Sequence, residues 1–158
     1  MTFDPSAIAS WATAAAVLIA AWQLHKNTRQ ACIDFEDDLS REYRELARTI
    51  PGPMLLGETP NEEDLKAEFS RLYQYIDLSN EQVFLRMAGR ITKGTWLNWR
   101  DGIQSNLSRP AFARAWNEIK IHAPGSFTEL RRLEDGRFVE DPRQWVSRIR
   151  RFGQWFSA

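Results

Sequence analysis

The rhythm of polar and apolar positions along this chain changes once, near residue 25. No side chain between 5 and 24 is charged, whereas charges recur throughout the remainder. Beyond that point apolar residues fall at three- and four-residue spacing, the period of an amphipathic helix. Asp4-Pro5 starts a helix, because the carboxylate caps free N–H groups and proline suits the first turn. The next breaker is Pro51-Gly52-Pro53, so one long helix is predicted over 5–50. In its second part Phe35, Leu39, Tyr43, Leu46 and Ile50 form the apolar stripe. Asp34, Glu36, Asp37, Asp38, Glu42 and Glu45 are expected on the solvated faces.

The same period continues through the chain. A connection is expected to run to Thr59, where Thr59-Pro60-Asn61-Glu62 starts a second helix with a capping-box pattern. Leu65, Phe69, Leu72, Ile76, Val83, Phe84, Met87 and Ile91 supply its core stripe, and Ser79-Asn80-Glu81-Gln82 allows a kink or a new cap. Gly89 and Gly94 bracket its end. A third helix is predicted over 95–107 with Trp96, Leu97, Trp99, Ile103 and Leu107. A fourth begins at Ser108-Arg109-Pro110 with Phe112, Ala115, Trp116 and Ile119 inward. Ser126 is expected to cap a short fifth helix reaching Glu134. No strand-like alternation occurs, so the predicted fold class is all-α: a long N-terminal transmembrane helix continuing into an antiparallel cytoplasmic helical bundle, followed by a C-terminal amphipathic helix. The expected organisation is 1–29 as membrane anchor and junction, 30–134 as the bundle, and 135–158 as a basic aromatic tail.

The uncharged stretch decides the membrane expectation. As a helix, 7–24 spans about 27 Å, close to the roughly 30 Å hydrocarbon thickness of a bilayer. Trp11 and Trp22 lie near its ends, and Lys26 and Arg29 follow, the pattern of interfacial anchors. A cleaved signal peptide requires a basic leading region, and here only Asp4 is charged before the apolar run. A buried soluble helix is the competing reading, because eight of the 18 residues are alanine and alanine drives insertion weakly. Ala12, Ala16 and Ala20 recur at four-residue spacing, which permits close approach of another membrane helix. Basic residues follow the stretch and none precedes it, so the positive-inside rule places the N-terminus outside and the following domain in the cytoplasm, at an inner (plasma) membrane.

Charge sharpens the picture further. The formal net charge is zero, yet 30–85 holds 13 acidic and 5 basic side chains, and 86–158 holds 7 acidic and 14 basic. Helix-to-helix pairing within the bundle accounts for this asymmetry, as does a basic half facing lipid headgroups or another subunit. In the tail, Trp145, Ile149, Phe152 and Phe156 share a helical face, Arg148, Arg150 and Arg151 take other faces, and Trp155 lies near the end. Arginines with large aromatics suit a membrane interface or an anionic protein groove. A sixth helix closing the bundle, with solvated arginines, is the alternative.

Chemistry is sparse. No nucleotide loop, nucleophile elbow or metal signature occurs, and no catalytic, cofactor or metal site is expected. Glu118 and His122 stand four apart on a helix, a spacing too common to make a site. Glu36-Asp37-Asp38 reads as a solvated run, and His25 as part of the interfacial junction. Cys32 is the sole cysteine, which leaves no intramolecular disulfide and reads as a partly buried helix residue. Stacking of bases on the basic aromatic segment suits a membrane-tethered protein poorly, so no nucleic acid is expected, and no small-molecule substrate is identified.

The junction Gln23-Leu24-His25-Lys26-Asn27-Thr28-Arg29, the Pro110, Phe112 and Trp116 spacing, and the following Ser126-Phe127 resemble a group of uncharacterised small bacterial proteins. That resemblance covers roughly 7–134 and implies an N-terminal transmembrane helix with an all-helical cytoplasmic domain, without an activity. The expected function is that of a non-enzymatic single-span membrane protein acting through protein contacts. An accessory or assembly subunit of a larger bacterial membrane complex is the leading form. The alternative is a self-associating effector, of toxin or defence type, that perturbs the bilayer. Its expected partners are lipid and other membrane subunits, or itself.

Overall fold

The computed structural model describes residues 5–145, with the side chains of 5–12 and 14 outside the description. Among the described residues the chain is all-helical, with six α-helices and one 3-10 turn. These are α1 Pro5–Thr49, α2 Gly52–Leu56, α3 Glu62–Ala88, α4 Lys93–Leu107, α5 Pro110–His122, α6 Thr128–Asp135 and the 3-10 turn Pro142–Gln144. The chain forms two compact units, Met1–Asp37 and Asp38–Ala158.

In the first unit every residue from 15 to 31 is exposed. Among the described residues no helix is long and apolar enough to cross a membrane. The expected span over 7–24 starts on residues whose side chains lie outside the description. Cys32 is half-buried, and burial together with the Glu36 carboxylate pushes its thiol pKa up. Glu36 corrects the sequence expectation: it is buried, whereas Phe35 is 36% exposed. The true helix face runs through 32, 36, 39, 43, 46 and 50, and Phe35 sits one position off it.

The second unit buries one core around α3. Leu72, Ile76 and Val83 of α3, Trp96 and Ile103 of α4, Phe112 and Trp116 of α5, and Leu130 and Leu133 of α6 are almost completely enclosed. Tyr75 joins them, packed edge-on to Phe112 at 4.9 Å and tilted against Tyr43 of α1 at 5.7 Å. Phe84, expected in this core, is 46% exposed instead, and its neighbours Leu85 and Arg86 are buried. The turns of α3 toward its C-terminus thus face inward on a side that the apolar spacing alone did not indicate.

Local chemistry explains the remaining boundaries. The connection after Ile50 contains the one-turn α2, with proline near its start and Gly57 at φ 93 closing it through Glu58 N–H to Pro53 C=O at 2.9 Å. Asn61, not Thr59, caps α3, its side chain accepting from Asp64 N–H at 2.8 Å. Thr92 caps α4, which starts at Lys93, two residues earlier than expected. Helix α3 ends at Gly89, whose φ of 79 favours glycine and where a Cβ would collide with the Arg143 guanidinium. Ile91 is buried in the loop beyond it rather than on the helix.

Ser79-Asn80 does not restart α3, which runs unbroken from Glu62 to Ala88. Ser79 Oγ donates to Tyr75 C=O at 2.8 Å within the continuous helix. Asn80 caps a different helix: its Oδ1 accepts from Leu130 N–H at 2.9 Å, at the start of α6. Ser126 makes no such cap, because buried Phe127 occupies the N-cap position in a left-handed conformation, φ 59, with its ring against Tyr73 and Trp116. Asn80→Ala is expected to cost about 1 kcal/mol, the usual value of a helix cap. Asn80→Asp should recover little of that, since its carboxylate faces Glu129, now the acceptor from Asn80 Nδ2 at 3.3 Å. Urea midpoints of the two variants check this; an alanine variant at wild-type stability would remove the capping role.

Candidate functional site

Three features stand apart from ordinary core packing. The first is the exposed apolar length of α1. Val17, Leu18, Ile19, Trp22 and Leu24 are 56–72% exposed. Ala16 and Ala20 are exposed with them, one turn apart, while Ala12 and Trp11 lie outside the described side chains. Trp22 carries Lys26 over its ring at 5.5 Å, and Arg29 is exposed one turn further on. A helix that is apolar on all sides is ordinarily covered by something, and nothing within this stretch of the chain covers it.

The second feature is a buried polar cluster joining α1, α3 and α4. Asn106 donates through Nδ2 to Tyr75 Oη at 2.5 Å and to Tyr43 Oη at 3.3 Å, and accepts from Arg109. Burial, reinforced by Tyr43, pushes the Tyr75 hydroxyl far above the ordinary tyrosine range, so Tyr75 stays neutral. A neutral phenol on a saturated amide has no free base beside it, and the cluster holds helices in register.

The third is an acidic cleft of about 410 Å³ between the C-terminal part of α1 and the middle of α3. Glu42 and Glu45 line one wall and Asp77 and Glu81 the other, over Leu46 and Leu78. All four carboxylate residues are exposed. No ion pair within the described residues involves any of them. A second cleft, of about 400 Å³, lies among Pro51, Pro53, Met54 and Pro60 and is lined as well by Glu58, Asp64 and Glu68, the last of them paired with Arg71.

The segment after α6 is fastened to the bundle through α3. Arg86 is buried and grips Asp141 with both arms, Nε to Oδ1 at 2.8 Å and Nη2 to Oδ2 at 2.6 Å, while Nη1 donates to Ile91 C=O at 2.8 Å. The Arg86 hydrogen bonds lower the Asp141 carboxyl pKa against the opposing effect of burial. Trp145 is half-buried, with Arg132 over its ring at 4.4 Å and its Nε1–H donating to Glu140 at 2.8 Å. Arg148, Ile149, Arg150, Arg151, Phe152, Trp155 and Phe156 lie outside the described residues.

The remaining expected chemistry is dispersed. His122 and Glu118 meet at 3.2 Å on the exposed face of α5. No group of three or more potential metal ligands gathers among the described residues. Neither Arg86 nor Asn106 was visible as special in the sequence, because each matters through a partner 55 or 31 residues away. The acidic cleft was half legible: the excess of acidic residues over 30–85 signalled it, and only the pairing of α1 with α3 concentrated it. No family model, no curated protein and no solved structure matches the chain.

Proposed function

We propose that the chain is a single-span membrane protein that acts through protein–protein contacts, as an accessory or assembly subunit of a larger membrane complex, and not as an enzyme. The carrying observation is the exposed, all-round apolar length of α1 at Val17, Leu18, Ile19, Trp22 and Leu24. Leaving such a surface in water costs roughly 25 cal/mol per Å² of apolar area, so it calls for lipid or a partner helix as cover. The uncharged run over 5–24 and the basic residues that follow support lipid as that cover, with the helical unit on the cytoplasmic side. The exposed Ala16 and Ala20 supply a thin helix edge on which a second membrane helix packs closely.

Alkaline carbonate extraction of membranes tests the first half of this reading. The protein is expected in the membrane pellet, and quantitative release into the supernatant would overturn the span. Ala16→Leu tests the second half, and is expected to leave insertion intact while weakening assembly in mild detergent by roughly fivefold, about 1 kcal/mol. Wild-type assembly in that variant removes the alanine edge as a contact. Homotypic association accompanied by membrane depolarisation on expression would favour the self-associating effector instead.

A further inference from the structure

We propose that segment 139–145 exchanges between two copies of this chain, the Asp141-Pro142 plug of each filling the seat that Arg86 and Gly89 form in the other. This goes beyond the membrane reading and does not rest on α1. The segment carries its own local fold. Gln144 N–H donates to Asp141 C=O at 2.9 Å, Trp145 N–H to Pro142 C=O at 3.0 Å, and Asp141 Oδ1 accepts from Arg143 N–H at 3.0 Å. It meets the bundle through side chains. The Arg86 fork holds the Asp141 carboxylate, Pro142 is fully buried, and the Arg143 guanidinium fills the space that a Cβ at Gly89 would take. Trp145 lies under Arg132 at 4.4 Å. Arg86, Gly89 and Arg132, the seat, all precede the turn after α6, and the plug follows it. In the structure the plug fills the seat of its own chain. The exchanged form keeps every one of these contacts and changes only which copy supplies the plug.

The turn that joins seat to plug is strained. Arg137 and Phe138 are consecutive non-glycine residues in the left-handed region, at φ 54 and φ 58. An L side chain there crowds the following carbonyl, and two in succession compound the cost. The turn is drawn tight by Arg137 N–H to Glu134 C=O at 2.8 Å, Phe138 N–H to Leu133 C=O at 2.9 Å and Val139 N–H to Gly136 C=O at 3.1 Å. Arg137, Val139 and Glu140 are exposed and Phe138 is only half-buried, so opening the turn uncovers little. A plug on its own chain has the advantage of high effective concentration. Strain in the hinge works against that advantage, and a short strained hinge is what favours exchange of an identical element between copies.

Sedimentation velocity of the full chain in mild detergent tests the exchange, with Ala16→Leu present throughout so that association through the alanine edge does not contribute. With the native hinge, a concentration-dependent mixture of monomer and dimer is expected. Arg137→Gly lifts strain from the closed turn, because glycine takes a left-handed φ freely, and is expected to weaken the dimer about tenfold. Arg137→Pro, whose ring fixes φ at about −65°, forbids the closed turn and is expected to strengthen the dimer about tenfold. Both changes fall at an exposed position outside the seat. Arg86→Ala and Asp141→Ala break seat and plug separately, so each alone is expected to be monomeric. Mixed, they restore one intact Arg86–Asp141 pair across two copies and dimerise. Far-ultraviolet circular dichroism establishes that each variant folds, and the two Arg137 variants decide the matter if an alanine variant does not. A monomer at every concentration with the native hinge and with Arg137→Pro alike overturns the proposal. A dimer that is indifferent to both Arg137 variants, or that forms equally from either alanine variant alone, overturns it in favour of a different interface.

Discussion

Trp116→Ala is expected to destabilise the helical unit by about 3–5 kcal/mol, the range for removing a buried tryptophan from a core. Its side chain is 2% exposed. The indole meets Phe127 edge-on at 5.9 Å, lies under Lys120 and Arg131 at 5.4 Å each, and donates Nε1–H to Glu134 at 3.0 Å. Truncation therefore opens a cavity and at the same time loosens the Lys120–Glu134 pair that closes α5 on α6. Trp116→Phe separates the two effects. It keeps most of the ring volume but loses the hydrogen bond, and should cost only about 1–2 kcal/mol. Urea unfolding followed by far-ultraviolet circular dichroism gives both numbers. An alanine variant no less stable than the phenylalanine variant would show that the site relaxes around the cavity.

Breaking the Arg86–Asp141 clamp is the second large effect. Asp141→Ala leaves a buried guanidinium, only 9% exposed, without its counter-ion. A fully buried pair broken this way costs about 3–5 kcal/mol. The Asp141 side chain is 22% exposed and water can partly replace it, so about 2–3 kcal/mol is expected, the scale of hydrogen bonds to charged groups. Acidity provides an independent check. Because the folded carboxyl is held below its ordinary value of 3.8, the unfolded chain binds the proton first as pH falls. The clamp's contribution is complete above that ordinary value and is lost as pH drops through the lower folded one. The stability gap between wild type and Asp141→Asn should therefore be widest near neutrality and shrink in acid. A gap constant across that range would mean the carboxyl is not held by Arg86.

Much of the helical plan was legible in the residues. Pro51, Pro110 and Gly89 act within one turn of themselves, where backbone geometry decides the outcome. The apolar stripe of α1 was read one position out at Phe35 and Glu36, because a helix buries a continuous face, and side-chain type alone does not fix its edges. Ser79-Asn80 looked like a local cap since its residue types favour one. Its real use, across 50 residues to Leu130, has no local signature.

Of the candidate sites, the sequence alone determined the uncharged length of α1 and the basic character of 146–158, since both are properties of a contiguous stretch. Charge along a chain is set before it folds. Tertiary structure alone decided that Asn106 would meet two tyrosines from other helices, that Arg86 would close on Asp141, and that Glu42 and Glu45 would face Asp77 and Glu81 across a cleft. Those pairings depend on the rotation and crossing of helices, which periodicity leaves open: any face carrying the same stripe packs, and only the filled core selects one rotation.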